Sequence, residues 1–177
     1  MTDAARFLPF DDTYWVEPGR LLAGRHPGAD DPGELRENLE RLLELGIHSF
    51  VDLTVEGELE PYDAELRRIA GEQRLDVTYM RHPIGDMSIP QRGEMRAIQQ
   101  TIDRALSAAQ PMYVHCWAGL GRTGMVIGVY LIRRGRATPR SFVRVLAELR
   151  ARQAARGASP QTPEQVRFVR RFAHEGR

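Results

Sequence analysis

Cys116 and Arg122 bracket a glycine-studded loop, Trp117-Ala118-Gly119-Leu120-Gly121, and that pairing is the strongest chemical signal in the chain. Met112-Tyr113-Val114 before it is a short apolar run after a proline, which reads as a buried strand. Thr123 to Ile132 after it is apolar on nearly every side, which reads as a helix through the centre of a domain. A strand, a tight loop and a helix N-terminus form an anion site, because loop N–H groups and the helix dipole converge on one point. A cationic neighbour and a helix N-terminus also favour the thiolate, the reactive form of cysteine, so the loop is expected to hold Cys116 charged. Arg122 offers a planar fork for two phosphate oxygens, and glycines 119 and 121 let the backbone curl its amides inward. The chemistry implied is a phosphate cradle with a sulfur nucleophile at its floor.

His115-Cys116-x-x-Gly119-x-x-Arg122-Thr123 resembles the His-Cys-x5-Arg-Ser/Thr signature of the cysteine-dependent protein tyrosine phosphatase superfamily, in its compact, atypical dual-specificity form. The resemblance runs from about Trp15 to Phe172. It implies Cys116 as nucleophile, Arg122 as phosphate ligand, Thr123 as hydrogen-bond donor to the sulfur, and His115 as a residue that fixes the loop and eases ionisation of the thiol. Trp117, Ala118, Gly119, Leu120 and Gly121 would line the substrate pocket.

Two further stretches belong to this reading. Arg81-His82-Pro83-Ile84-Gly85-Asp86-Met87-Ser88-Ile89-Pro90 is barred from regular structure by its prolines and glycine, so Asp86 rides on a loop. It resembles the general-acid loop of the same phosphatases, which makes Asp86 the expected proton donor to the leaving oxygen; the plainer alternative is a turn cap. Gln161-Thr162-Pro163-Glu164-Gln165 resembles their glutamine loop, whose Gln161 or Gln165 would position the hydrolytic water, or would simply open a helix.

The rest of the chain must position these groups. Tyr14 to Gly24 reads as a turn-linked pair of edge strands, with Trp15 in the core. Asp31-Pro32 reads as a helix start, Leu35, Leu39 and Leu42 as its buried stripe, and Gly46 as its end. Ile47 to Leu53 reads as a strand ending near Asp52, expected to be a hydrogen-bonded structural carboxylate. Glu56, Glu58 and Glu60 form an acidic loop, expected to be solvated, or alternatively to border the pocket. A helix marked by Tyr62, Leu66 and Ile69 and a strand at Leu75 to Met80 follow. Met95, Ile98, Ile102, Ala105, Leu106 and Ala109 trace one helical face. Gly135 ends the central helix, and Thr138-Pro139 starts another whose stripe is Phe142, Val145, Leu146 and Leu149, with arginines 140, 144, 150 and 152 outside. This alternation implies an α/β fold: a central, mainly parallel sheet flanked by helices, in a single domain over 1–177 with its core at about 14–173.

Composition narrows the function. The 177 residues suit one well-buried domain, and a net charge of +1 gives no bulk attraction to nucleic acid or membrane. All 25 basic residues are arginine, which excludes a lysine-dependent nucleotide loop and Schiff-base chemistry. The single cysteine allows no internal disulfide, cysteine metal cluster or resolving thiol. The N-terminus lacks a signal-peptide core, and no segment reaches the ~20 apolar residues of a membrane span. The expectation is a cytoplasmic, monomeric, metal-independent and cofactor-free phosphatase acting on phosphotyrosine in proteins, and also on phosphoserine or phosphothreonine. Two other readings stay open: a phosphatase of small phosphates (an inositol phosphate, a nucleotide or an RNA 5′ end), and a phosphopeptide-binding module without turnover.

Overall fold

The computed structural model describes residues 7–28, 32–151 and 157–174. Strand β1 (Thr13–Glu17) turns at Pro18-Gly19-Arg20 into β2 (Leu21–Gly24). Helix α1 (Leu35–Glu44) precedes β3 (Ser49–Asp52), and α2 (Asp63–Glu72) precedes β4 (Thr78–Arg81). Helix α3 (Arg92–Ser107) leads to β5 (Met112–His115), and α4 (Gly121–Arg133), α5 (Phe142–Leu149) and α6 (Pro163–His174) complete the chain. The sheet order is β1-β2-β5-β3-β4, antiparallel only between β1 and β2. The fold is therefore the expected α/β type with a mainly parallel sheet.

β5 lies at the centre because all four of its residues are buried, as a parallel strand covered on both faces requires. One face of the sheet packs Val51, Val114 and Met112 against Met95, Ile98, Val126, Tyr130, Phe142 and Val169 of the later helices. The other packs Phe50 and Tyr113 against Leu39, Leu42, Leu66 and Ile69 of α1 and α2. The shared register sets Gly24, His115 and Asp52 side by side, so the carboxyl ends of three strands open on one edge. In open α/β sheets that edge is where ligands bind.

Several local expectations shift. Of the first two strands only β1 is an edge, since β2 pairs with β5. Trp15 is only partly buried and donates to the Phe7 carbonyl at 3.2 Å. Gly46 ends α1 as expected: at φ 77° it donates to the Leu43 carbonyl while Ile47 N–H reaches Leu42. The helix start expected at Asp31 lies outside the described residues; the chain enters α1 through a short 3-10 turn, Pro32–Glu34. α5 begins at Phe142 rather than at Thr138-Pro139, because Thr138 and Ser141 cap each other's N–H groups and close a turn first. Arg150 is not on the outside: it is buried and donates to the Gly157 carbonyl at 3.3 Å. Arg152 lies outside the described residues.

Gly128 of α4 lets the Phe142 ring pack on the helix backbone; a Cβ there would sit 2.8 Å from the ring. Phe142→Ala should therefore cost about 3–5 kcal/mol in urea unfolding, the usual loss for a fully buried phenylalanine.

Candidate active site

The site is built on the turn from β5 into α4. Cys116 follows directly on β5, 2% exposed. Among the described residues no acceptor meets the backbone N–H groups of residues 117–123, which lie at and before the first turn of α4. Those are the donors an anion would take. Gly119 sits at φ 71°, where a Cβ would lie 2.5 Å from the Gly24 carbonyl carbon. Only glycine allows the loop to close so tightly on β2.

Arg122 is buried, 2% exposed, and its guanidinium is held by three groups from two other loops. Nη1 and Nη2 donate to the two Glu58 carboxylate oxygens at 2.7 and 2.6 Å. Nη1 also donates to the Ile84 carbonyl at 3.2 Å, and Nη2 stands 3.2 Å from Asp86 Oδ1. Burial works against this cation. The Glu58 hydrogen bonds and the electrostatic influence of Cys116, Glu58 and Asp86 outweigh it and hold the guanidinium above its ordinary range. For Glu58, burial pushes the carboxyl up, but the Arg122 and Val55 hydrogen bonds and the guanidinium charge bring it below the ordinary value. Of the two readings of the acidic loop, solvated or bordering the pocket, Glu58 takes the second, as the counter-ion of Arg122. Sequence offered no spacing signal for it, only its place after the carboxyl end of β3.

Under the loop lies a buried polar network. His115 Nδ1 faces the Cys116 carbonyl at 3.2 Å and Nε2 faces the Tyr62 hydroxyl at 2.6 Å. A carbonyl can only accept, so Nδ1 carries the proton and Nε2 accepts from Tyr62. Burial pushes the His115 ring down in pKa, with Asp52 opposing, so it is neutral at pH 7 and acts on the loop through its hydrogen bonds. Asp52 is the structural carboxylate expected, accepting from Thr54 N–H at 2.8 Å, Thr54 Oγ1 at 2.7 Å and Tyr79 at 2.6 Å.

Asp86 rides on a turn closed by Ser88 N–H to the Gly85 carbonyl at 3.1 Å. Gln165 is fully buried and ties that turn to α6. Its Nε2 donates to the Ser88 carbonyl at 3.2 Å, while its Oε1 accepts from the N–H groups of Gln161 and Thr162 at 3.0 and 3.2 Å. Both glutamine side chains press on Gly121, where a Cβ would meet Gln161 Oε1 at 2.5 Å and Gln165 Nε2 at 3.0 Å. Structure thus gathers Cys116, His115, Arg122, Asp86, Gln161 and Gln165 around one loop.

Three expectations change in detail. Thr123 points its hydroxyl at the Gly24 carbonyl, 3.5 Å away, and not at the sulfur, because β2 ends beside it. Leu120 does not line the pocket: its side chain is buried, with Cδ1 against Gly157, and only its backbone serves the loop. Gly119 and Gly121 likewise contribute backbone alone. Trp117 and Ala118 stand exposed at the rim.

Comparison with known proteins agrees with this geometry. The family model described as "Polymorphic toxin system, DSP-PTPase phosphatase" matches residues 27–136. The chain belongs to this dual-specificity phosphatase family. A Danio rerio protein, dual specificity protein phosphatase CDC14AB, is 32% identical over 130 residues, covering 72% of this chain and 20% of its own length. A protein of Invertebrate iridescent virus 3 named as a tyrosine phosphatase is 28% identical over 148 residues, 77% of this chain and 58% of its own. This chain therefore spans little more than half the length of the one relative and a fifth of the other. Among solved structures, Tk-PTP in its active form superposes with a TM-score of 0.71 at 21% identity, over 93% of this chain and 97% of that one. PTPMT1 in complex with PI(5)P superposes at 0.70 and 19% identity, over 93% and 96%. At these identities the structures speak for the fold alone.

The Glu58–Arg122 pair carries a pH signature. A depressed native carboxyl stabilises the fold fully above the ordinary carboxylate range, near pH ~4.3, and loses that contribution as pH falls through the native value. Glu58→Gln should therefore flatten the acid limb of a stability–pH curve. Glu58→Ala, which strands a buried guanidinium, should cost roughly 3 kcal/mol in urea unfolding at pH 7.

Proposed function

We propose that this protein is a metal-independent phosphatase that hydrolyses phosphotyrosine in proteins, and also phosphoserine or phosphothreonine, through a phosphocysteine intermediate. The observation that carries the reading is the meeting of Arg122, Asp86 and the Cys116 loop at one point, with the loop's N–H groups left for an anion. The phosphate would sit on those amides and on Arg122, which spread the charge of the equatorial oxygens in the transition state. Cys116 Sγ attacks phosphorus in line, the S–P bond forms, and the P–O bond to the leaving group breaks. Asp86 gives its proton to the departing oxygen. Water then attacks phosphorus, ionised Asp86 takes a proton from it, the S–P bond breaks, and the thiolate returns. Arginine and backbone amides supply the positive field, so no step calls for a metal. Thr123 would turn its hydroxyl from the Gly24 carbonyl to the departing sulfur, and Gln161, exposed over Gly121, would guide the water.

Choice of a protein substrate is supported by the rim. Trp117 is 46% exposed and offers a ring face beside the pocket, and neither Trp117 nor Ala118 carries a charge. A protein binding highly phosphorylated small molecules would need cations there.

Cys116→Ser should abolish turnover of a phosphotyrosine peptide while leaving the unfolding midpoint unchanged; retained turnover would refute the covalent route. Asp86→Ala should lower kcat by ~10²-fold or more on alkyl or peptide phosphates and much less on aryl phosphates with good leaving groups. Equal losses on both would remove Asp86 from the acid role. A panel that also holds inositol and nucleotide phosphates separates the protein reading from a small-substrate one.

A further inference from the structure

A second feature lies beside the pocket, outside the groups that the reaction uses. A groove of about 840 Å³ runs between the segment that follows the Asp86 turn and the first turns of α6. Ile89, Pro90 and Phe168 are the apolar residues of its lining, and Arg92, Arg167 and Arg171 are the basic ones. Arg167 and Arg171 are one helical turn apart on α6, both exposed, while Arg92 projects from the start of α3 with its guanidinium 5.1 Å from the Phe172 ring centre. Basic residues therefore stand on both walls of the groove.

Several arginines on helix surfaces are neutralised by their own neighbours. Arg36, Arg41, Arg67, Arg68 and Arg144 each pair with a glutamate or aspartate on a helix. Arg167 and Arg171 have no such partner among the described residues, and Glu164, the carboxylate in the lining, makes no ion pair there with either. Two exposed guanidinium groups without an ion pair among the described residues, those of Arg167 and Arg171, raise the local concentration of anions. The groove's position ties it to the reaction site. Ile89 in its lining is three residues from Asp86, and Gln165, next to Glu164, bonds the Ser88 carbonyl. Whatever lies in the groove lies alongside the loop over the phosphate pocket.

We propose that this groove is a second recognition site that takes acidic side chains of the protein substrate flanking its phosphorylated residue. The inference rests on the phosphoprotein reading above. Guanidinium groups would pair with aspartate or glutamate carboxylates, and Ile89, Pro90 and Phe168 would cover the aliphatic stems between them.

The test compares two phosphotyrosine peptides, one with Asp/Glu flanks and one with Asn/Gln flanks, on wild type and on the Arg167→Glu/Arg171→Glu variant. Exposed charge pairs contribute only ~0.2–1 kcal/mol each, so a few together give a preference of roughly five- to tenfold, carried by KM and weakened by salt. The variant should lose that preference while hydrolysing para-nitrophenyl phosphate like wild type. An acidic preference that survives in the variant, its absence in wild type, or an equal fall on both peptides and on the aryl phosphate would overturn the proposal. If wild type cleaves para-nitrophenyl phosphate and neither peptide, the phosphoprotein reading fails separately. The groove is then judged by an unphosphorylated Asp/Glu-rich peptide as inhibitor of aryl phosphate hydrolysis. Inhibition that the variant abolishes supports the groove, and no inhibition of wild type overturns it.

Discussion

A guanidinium buried as deeply as Arg122 has to be answered by a counter-charge, and Glu58 answers it with both oxygens. Removing a cation from water costs several kcal/mol unless its donors are matched, so the pair fixes the guanidinium in place before any ligand arrives. That preorganisation has a second effect. Glu58 from one loop and the Ile84 carbonyl and Asp86 from another converge on the one side chain, so two separate connections are drawn over the Cys116 loop by a single ion. The electrostatic centre of the site is thus also its mechanical centre.

The sheet makes this convergence possible. β5 lies between β2 and β3, and the parallel register brings Gly24, His115 and Asp52 to the same edge. Gly24 is where Gly119 closes down, His115 carries the hydrogen bond to the Cys116 carbonyl, and Asp52 anchors Thr54 at the start of the loop that brings Glu58 across. Tyr62 on the far side of that loop reaches back to His115, so the Glu58 loop is pinned at both ends to the base of the cysteine loop. From the other side Gln165 secures the Asp86 turn to α6. A loop site of this kind is as rigid as the hydrogen bonds beneath it, and here each connection is held by a buried side chain.

What sequence revealed follows from how local each feature is. Cys116 and Arg122 are six positions apart, with a strand before and a helix after, so their spacing and their setting could be read together. Asp86 and the glutamines were legible only by likeness to a family, since a loop carboxylate or a helix-opening glutamine has no periodic signature. Glu58 could be read only as one of two alternatives: it meets Arg122 across 64 positions, and an acidic loop with glycine looks the same whether solvated or folded inward. Leu120, set in the pocket by likeness to the family's loop, is buried where that loop enters α4. Arg150 was misplaced because helical spacing assigns a side only where the helix continues, and it stands at the end of α5, where the chain turns and buries it. Tyr62, read as a helix marker, proved to be the partner of His115.

The account makes Cys116 and Arg122 the two jaws of one oxyanion site, and a crystal structure with orthovanadate tests this most directly. Vanadium should lie bonded to Cys116 Sγ, its equatorial oxygens on the loop amides and the Arg122 guanidinium, with Glu58 still paired to the same arginine. Vanadate held away from the sulfur, or an Arg122 closed on Glu58 that makes no contact with the bound oxyanion, would contradict it.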